Sequence, residues 1–108
     1  MPFDNNTVDV PVLNVEKIAF VDGMIELLAT RRRWCKYSFH KKRFFGPDAY
    51  CLFGAYNQVS KSRGQKPEIL VRMLELTEHG DIGSYNDSYY RTHNDILRFL
   101  GRLRTSFE

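Results

Sequence analysis

Cysteine is scarce in this chain of 108 residues: there are two, Cys35 and Cys51, 16 positions apart. No Cys-x-x-Cys pair occurs, so the close ligand pairs that mark structural zinc sites are missing. A zinc site would have to gather both cysteines and two of His40, His79 and His93 from distant parts of the chain. No apolar run approaches the ~18 residues that a membrane span requires. Met1 to Val10 holds acids and amides where a secretory signal would have basic residues and then an apolar stretch. These absences predict a soluble cytoplasmic domain, free of any membrane partner, whose thiols stay reduced. Dinucleotide fingerprints and phosphate loops are also missing. Gly80-x-x-Gly83 reads as a loop, without the preceding strand and following helix that phosphate binding needs. No cofactor is expected.

What is present is apolar and aromatic material. Apolar residues make up 43% of the chain, and 8 Phe, 6 Tyr and 1 Trp are too many for a disordered polypeptide. The length suits one domain with one core.

Charge is unevenly placed. Residues 1–30 carry −4 and residues 67–108 carry −2, whereas residues 31–66 carry +9. The middle block consists of Arg31, Arg32, Arg33, Lys36, Lys41, Lys42, Arg43, Lys61, Arg63 and Lys66 against Asp48 alone. Like charges gathered in this way attract phosphate or an acidic protein surface. A solvated face, partly neutralised by the acidic first helix, would show the same run.

Hydrophobic spacing predicts a mainly α, single compact domain of about four amphipathic helices. Residues 1–13 read as an extended arm, because Val8, Val10 and Val12 alternate but Pro11 interrupts them. Residues 14–108 form the domain. Helix one spans about residues 15–32, capped by Asn14, with Val15, Ile18, Val21, Ile25 and Leu28 in its stripe. Gly23 inside it points to a close packing contact. Arg31 to Arg33 end it, complementing the helix dipole. A short hairpin is expected near residues 35–45, with Tyr37 and Phe39 on one strand, Lys41 to Arg43 turning, and Phe44 and Phe45 returning. Gly46-Pro47-Asp48 then starts helix two, with Cys51, Leu52, Ala55 and Val59 inward. Pro67 and Glu68 start helix three, with Ile69, Leu70, Met73, Leu74 and Leu76 inward, and His79-Gly80 ends it. Asp81 to Tyr90 reads as a polar loop. Thr92 and Asp95 have the spacing of a capping box for helix four, whose apolar face is Ile96, Phe99, Leu100 and Leu103.

Two constellations bear on chemistry. In the basic block, rings follow bases: Trp34 after Arg31–Arg33, Tyr37 after Lys36, Phe44 and Phe45 after Lys41–Arg43. Bases on phosphates with rings on nucleobases is one way proteins hold single strands. With 15 aromatics in the chain most must be buried, so Trp34, Phe39 and Phe53 are expected to be packing residues. Second, Cys35 or Cys51 with His93 and Asp87 has the residue types of a thiol-dependent site, which needs a thiolate, a base and an orienting group. Cysteine on a helix face is also simply a small apolar side chain. Tyr85, Tyr89 and Tyr90 share a loop with Asn86, Asp87 and Arg91, a composition suited to contact surfaces or to a local turn.

The order Trp34-Cys35, then Cys51-Leu52-Phe53-Gly54-Ala55, then Tyr85-Asn86-Asp87, then Arg91-Thr92 resembles the bacterial and phage family called domain of unknown function 6197. That family shows Trp-Cys, a Cys-Ala-x-Gly-Ala type of helix, an aromatic-Asn-Asp and Arg-Thr. The likeness runs from about Ile18 to Leu103. Leu52 and Phe53 depart from the family's small residues, as does the basic block. The family has no established activity. The resemblance implies that Trp34, Cys35, Cys51, Gly54, Tyr85, Asn86 and Asp87 gather as a core network or a pocket, with Gly54 letting another element approach.

These readings together lead to an expected function. The chain is a small non-enzymatic binding or inhibitor module, of a bacterial or phage/mobile-element system, that engages nucleic acid or an acidic partner protein through its basic, aromatic surface. The alternative is a small thiol-dependent enzyme or small-ligand-binding domain built on Cys35, Cys51, His93 and Asp87. A homo-oligomer pairing acidic helix one with the basic block of a second copy is a third arrangement the charges allow.

Overall fold

In the computed structural model, residues 12–78 and 80–108 are described; the rest of the expected arm and His79 lie outside them. Helix α1 spans Val12–Leu27, so it begins inside the expected arm and takes in Asn14 as an ordinary helical residue rather than its cap. It buries Phe20, Val21 and Met24, followed by Leu28, while Val15 stays half exposed. The helix stops short of the arginines. The Leu28 carbonyl accepts from His93 Nε2 at 2.7 Å, a bond that draws it away from the next helical turn. Thr30 then adopts extended backbone, and Arg31–Arg33 form a separate 3₁₀ turn instead of the end of α1.

The hairpin exists but its return is displaced. Strand β1 (His40–Lys41) pairs antiparallel with β2 (Ala49–Tyr50), with His40 opposite Tyr50 and Lys41 opposite Ala49. Phe44 and Phe45 do not return as a strand; they stand in the loop between. Ala49 and Tyr50 are apolar and bury, and the core selects them over the more solvated phenylalanines. Asp48 closes the loop at its base, accepting from Arg43 N at 3.1 Å and from His40 Nε2 at 2.7 Å. Tyr50 also bridges Trp34 in parallel on its other side.

Helix α2 runs Leu52–Arg63, later than the proline-led start expected. Pro47 lies in the hairpin loop, and Cys51 is the N-cap, its Sγ accepting from Gly54 N at 3.3 Å. Helix α3 (Pro67–Thr77) starts at the expected proline. It buries Ile69 and Met73, with Leu70 and Leu76 partly covered and Leu74 on the exposed side. Helix α4 (Ile82–Asp87) occupies part of the expected loop. Its N-cap is Asp81, whose Oδ1 accepts from Ser84 N at 3.1 Å, enough to start a single helical stretch. Helix α5 (His93–Thr105) carries the full capping box: Asp95 N donates to Thr92 Oγ1 and Thr92 N donates to Asp95 Oδ2.

The fold is mainly α, as the spacing predicts. Helix α1 lies against α2 and α5, and α4 joins α2 and α3. Phe20, Met24, Leu52, Ile69, Ile96, Phe99 and Leu100 form the sealed centre. A Cβ on Gly23 would sit 3.3 Å from Val59 Cγ1, which explains the glycine inside α1. Among the described residues no helix is long and apolar enough to cross a membrane.

Candidate functional site

The residues of the separated motifs meet around one buried amide. Asn86, on α4, has no exposed surface. Its Oδ1 accepts from Trp34 Nε1 at 2.8 Å and from Leu52 N at 3.1 Å. Its Nδ2 donates to the Cys35 carbonyl at 3.1 Å and to Asp87 Oδ1 at 2.8 Å. Both donors and both acceptor positions of the amide are therefore used. Leu52 N–H is a free donor of the first turn of α2, so Asn86 serves as a second cap for that helix. Asp87 Oδ1 also accepts from Tyr37 N at 2.9 Å, holding Tyr37 at a φ of +66°. Tyr85 lies against Phe99 with its ring covered by the Arg91 guanidinium 3.6 Å from its centroid. Gly54 meets the Phe39 carbonyl so closely that a Cβ there would overlap it. The hairpin base is thereby seated on the first turn of α2.

This network orders the backbone; its atoms are satisfied by one another. Beside it, Tyr37, Ser38, Phe39, Cys51, Gly83 and Asp87 line a cleft of about 330 Å³. Cys35 and Cys51 are both free and both buried. Burial pushes each thiol up from its ordinary 9.0, with the neighbouring Cys51 adding to the rise at Cys35. That direction opposes thiolate formation. Cys35 Sγ donates to the Ser38 carbonyl at 3.4 Å. His93, the base required by the thiol reading, is occupied by the Leu28 carbonyl. Among the described residues no three histidines, cysteines or acids form a metal-binding group.

The basic residues separated in sequence come together as one track. Arg43 Nη2 donates to the Arg32 carbonyl at 2.8 Å, joining the hairpin loop to the 3₁₀ turn. Arg33 and Arg63 line one cleft of about 400 Å³ with Glu26, Gln58 and Ser62, joining that turn to the end of α2. Lys66 Nζ donates to the Arg63 carbonyl at 3.0 Å and extends the line towards α3. Arg31, Lys41, Lys42 and Lys61 are exposed along the same segments. Among the described residues none of the ten bases forms an ion pair within 4.0 Å. Of the acids of α1, Asp22 pairs with Arg104, while Glu26 lines the Arg33–Arg63 cleft and Glu16 a second cleft with Lys66, neither of them in an ion pair with these bases among the described residues. Lys36 stands apart from the track. Its ammonium donates to the Ser88 carbonyl at 2.7 Å and the Tyr89 carbonyl at 3.3 Å, and it pins the α4–α5 loop.

The aromatics divide sharply. Trp34 and Phe53 pack against the core. Tyr37, Phe39, Phe44 and Phe45 are exposed around the hairpin, as are Tyr89 and Tyr90 in the α4–α5 loop. Phe39, expected as a packing residue, keeps only an edge contact with Phe53, at 5.4 Å between centroids. Sequence reasoning missed the role of Asp48 as the clamp of the hairpin loop. Its position eight residues from His40 is the only sign in the sequence, and that spacing has no meaning until the loop closes.

No family model, no curated protein and no solved structure matches this chain.

Proposed function

We propose that the protein is a non-enzymatic binding module that engages nucleic acid through the track running from the hairpin loop to the end of α2. One observation carries the reading: three basic stretches, distant in sequence, are brought side by side, and among the described residues none of their charges forms an ion pair within 4.0 Å, although Glu26 and Glu16 stand at the edge. A surface of this kind gains free energy by exchanging its counterions for a polyanion. The sealed amide network favours a scaffolding task for Trp34, Cys35, Asn86 and Asp87 over catalysis. Placement in a bacterial or phage system rests on the resemblance of the short motifs alone.

The test is binding of labelled oligonucleotides by anisotropy across a salt series. An interface that engages roughly five of these bases gives a log–log salt slope near −3.5 on a single strand and steeper on a duplex. Reversal of Arg32, Lys41, Lys42 and Lys61 to Glu should abolish binding at moderate salt. Unchanged affinity in that variant sinks the proposal. Binding to polyglutamate but not to oligonucleotides would transfer the track to an acidic protein partner.

A further inference from the structure

We propose that the nucleic acid is taken as a single strand, with Phe44 and Phe45 stacking on unpaired bases while the basic track holds the phosphates; this rests on the reading above. The two rings contribute nothing to the core. Phe44 is 94% and Phe45 77% exposed. They meet only edge to face, 4.7 Å between centroids at 76°. In that arrangement each ring keeps at least one face clear of the other, and every base has a face to lay on it.

Their placement ties them to the track. They follow directly on Lys41, Lys42 and Arg43, and Arg43 is bonded to the Arg32 carbonyl. Bases and rings therefore stand side by side at one end of the basic line. The loop that presents them is fixed at its base by Asp48. Beyond the rings, Gly46 has a φ of +83° and Pro47 a restricted one, which sets the turn back to β2. Such a tip loses little freedom when it docks. Duplex DNA hides the base faces, and phenylalanine offers no hydrogen bond to read the edges in a groove.

The second exposed pair supplies an internal comparison. Tyr89 and Tyr90 are 82% and 84% exposed and meet edge to face at 4.9 Å, a close copy of the phenylalanine pair. Their neighbouring cations are Lys36, whose ammonium is already bonded to the Ser88 and Tyr89 carbonyls, and Arg91, whose guanidinium lies over the Tyr85 ring with its Nε bonded to the Tyr85 carbonyl. Ring exposure is the same at the two sites; free positive charge is not.

The experiment compares the full chain, Phe44→Ala/Phe45→Ala and Tyr89→Ala/Tyr90→Ala on an oligothymidylate of about 12 nucleotides and on a duplex of the same length. The full chain should prefer the single strand. Loss of both phenylalanines should weaken single-strand binding at least about fivefold, the lower end of a stacking contribution. Duplex affinity and the salt slope should not move, because no phosphate contact is lost. The tyrosine variant should bind as the parent does. Phe44→Trp should restore or tighten binding and show indole quenching by the oligonucleotide. Unaltered single-strand affinity in the phenylalanine variant, an equal loss in the tyrosine variant, or a preference for duplex would each overturn the proposal. Those outcomes leave phosphate binding in place. Failure of the full chain to bind either oligonucleotide at low salt would instead remove the nucleic-acid reading and this proposal with it.

Discussion

Replacing Asn86 with Ala tests the amide network most directly. The side chain is fully buried and makes four hydrogen bonds. Two of the groups it serves, Leu52 N–H and the Cys35 carbonyl, are bonded in buried surroundings and cannot turn to water. A buried polar group left without a partner costs about 1–3 kcal/mol. Trp34 Nε1 and Asp87 Oδ1 are only partly buried and recover some hydration. The expected destabilisation is therefore about 3–5 kcal/mol, against a total of about 5–15 kcal/mol for a domain. At about 4–8 °C per kcal/mol for a chain of this size, the melting temperature should fall by at least about 12 °C. Urea unfolding followed by fluorescence reads the change, since Trp34 is the one tryptophan. Circular dichroism should give the same midpoint. Asn86→Asp keeps the shape but sets a carboxylate oxygen against the Cys35 carbonyl and Asp87, two acceptors. It should be less stable than the alanine variant at neutral pH. A destabilisation by Asn86→Ala below about 1 kcal/mol would refute the claim that this amide anchors the hairpin to α2.

Three further outcomes are expected. Gly54→Ala drives a methyl into the Phe39 carbonyl, so it should cost more than the gain of about 1 kcal/mol that alanine normally brings to a helix interior; a stability equal to or above the parent in a denaturant melt would contradict the close approach. Cys35 and Cys51 should react with a disulfide reagent at pH 8 far more slowly in the folded protein than in denaturant, and one fast native thiol would count against their burial. Thr92→Ala should lose about 1 kcal/mol through the broken cap. The Asp95 carboxyl is held below its ordinary 3.8, first by the hydrogen bond from Thr92 N, so its contribution is complete above that pH and disappears as the pH falls through the folded value. An Asp95→Ala variant, which removes that carboxylate, should therefore approach the parent in strong acid, whereas the gap to Thr92→Ala, which comes from a hydroxyl acceptor, should persist; a parent–Asp95→Ala gap unchanged between pH 7 and pH 2 would disprove the linkage.

Much of the fold was legible because it depends on local rules. The periodicity of Ile96, Phe99, Leu100 and Leu103 and the Thr92–Asp95 spacing define α5 without reference to the rest of the chain. Pro67 and Glu68 do the same for α3. Errors arise where a distant group competes with a local signal. Pro47 is a good first helical residue, yet Ala49 and Tyr50 have a strand to pair with and a core to enter, so α2 waits for Cys51. Arg31 to Arg33 suit a helix end, but His93, 65 residues from Leu28, takes the carbonyl that the next turn would use. The gathering of Trp34, Cys35, Cys51, Gly54, Asn86 and Asp87 is implied by the family resemblance and is present in the structure. What that resemblance leaves open is whether the group is a network or a pocket. The hydrogen-bond geometry gives a satisfied network with a cleft at its side. The basic track was legible as charge but not as a surface, since nothing local says that Arg43 reaches Arg32 or that Arg33 and Arg63 share a cleft.

The clamp at Asp48 has a consequence for how this protein can diversify. The loop is closed by bonds among His40, Arg43 and Asp48, and the segment they enclose, from Phe44 to Pro47, is exposed throughout. Residues that contribute nothing to the interior can be exchanged at little thermodynamic cost. Folding and target choice are thereby assigned to different residues. A lineage can rewrite the four-residue tip and change what it grips while the architecture below stays intact, as an antibody does with a hypervariable loop.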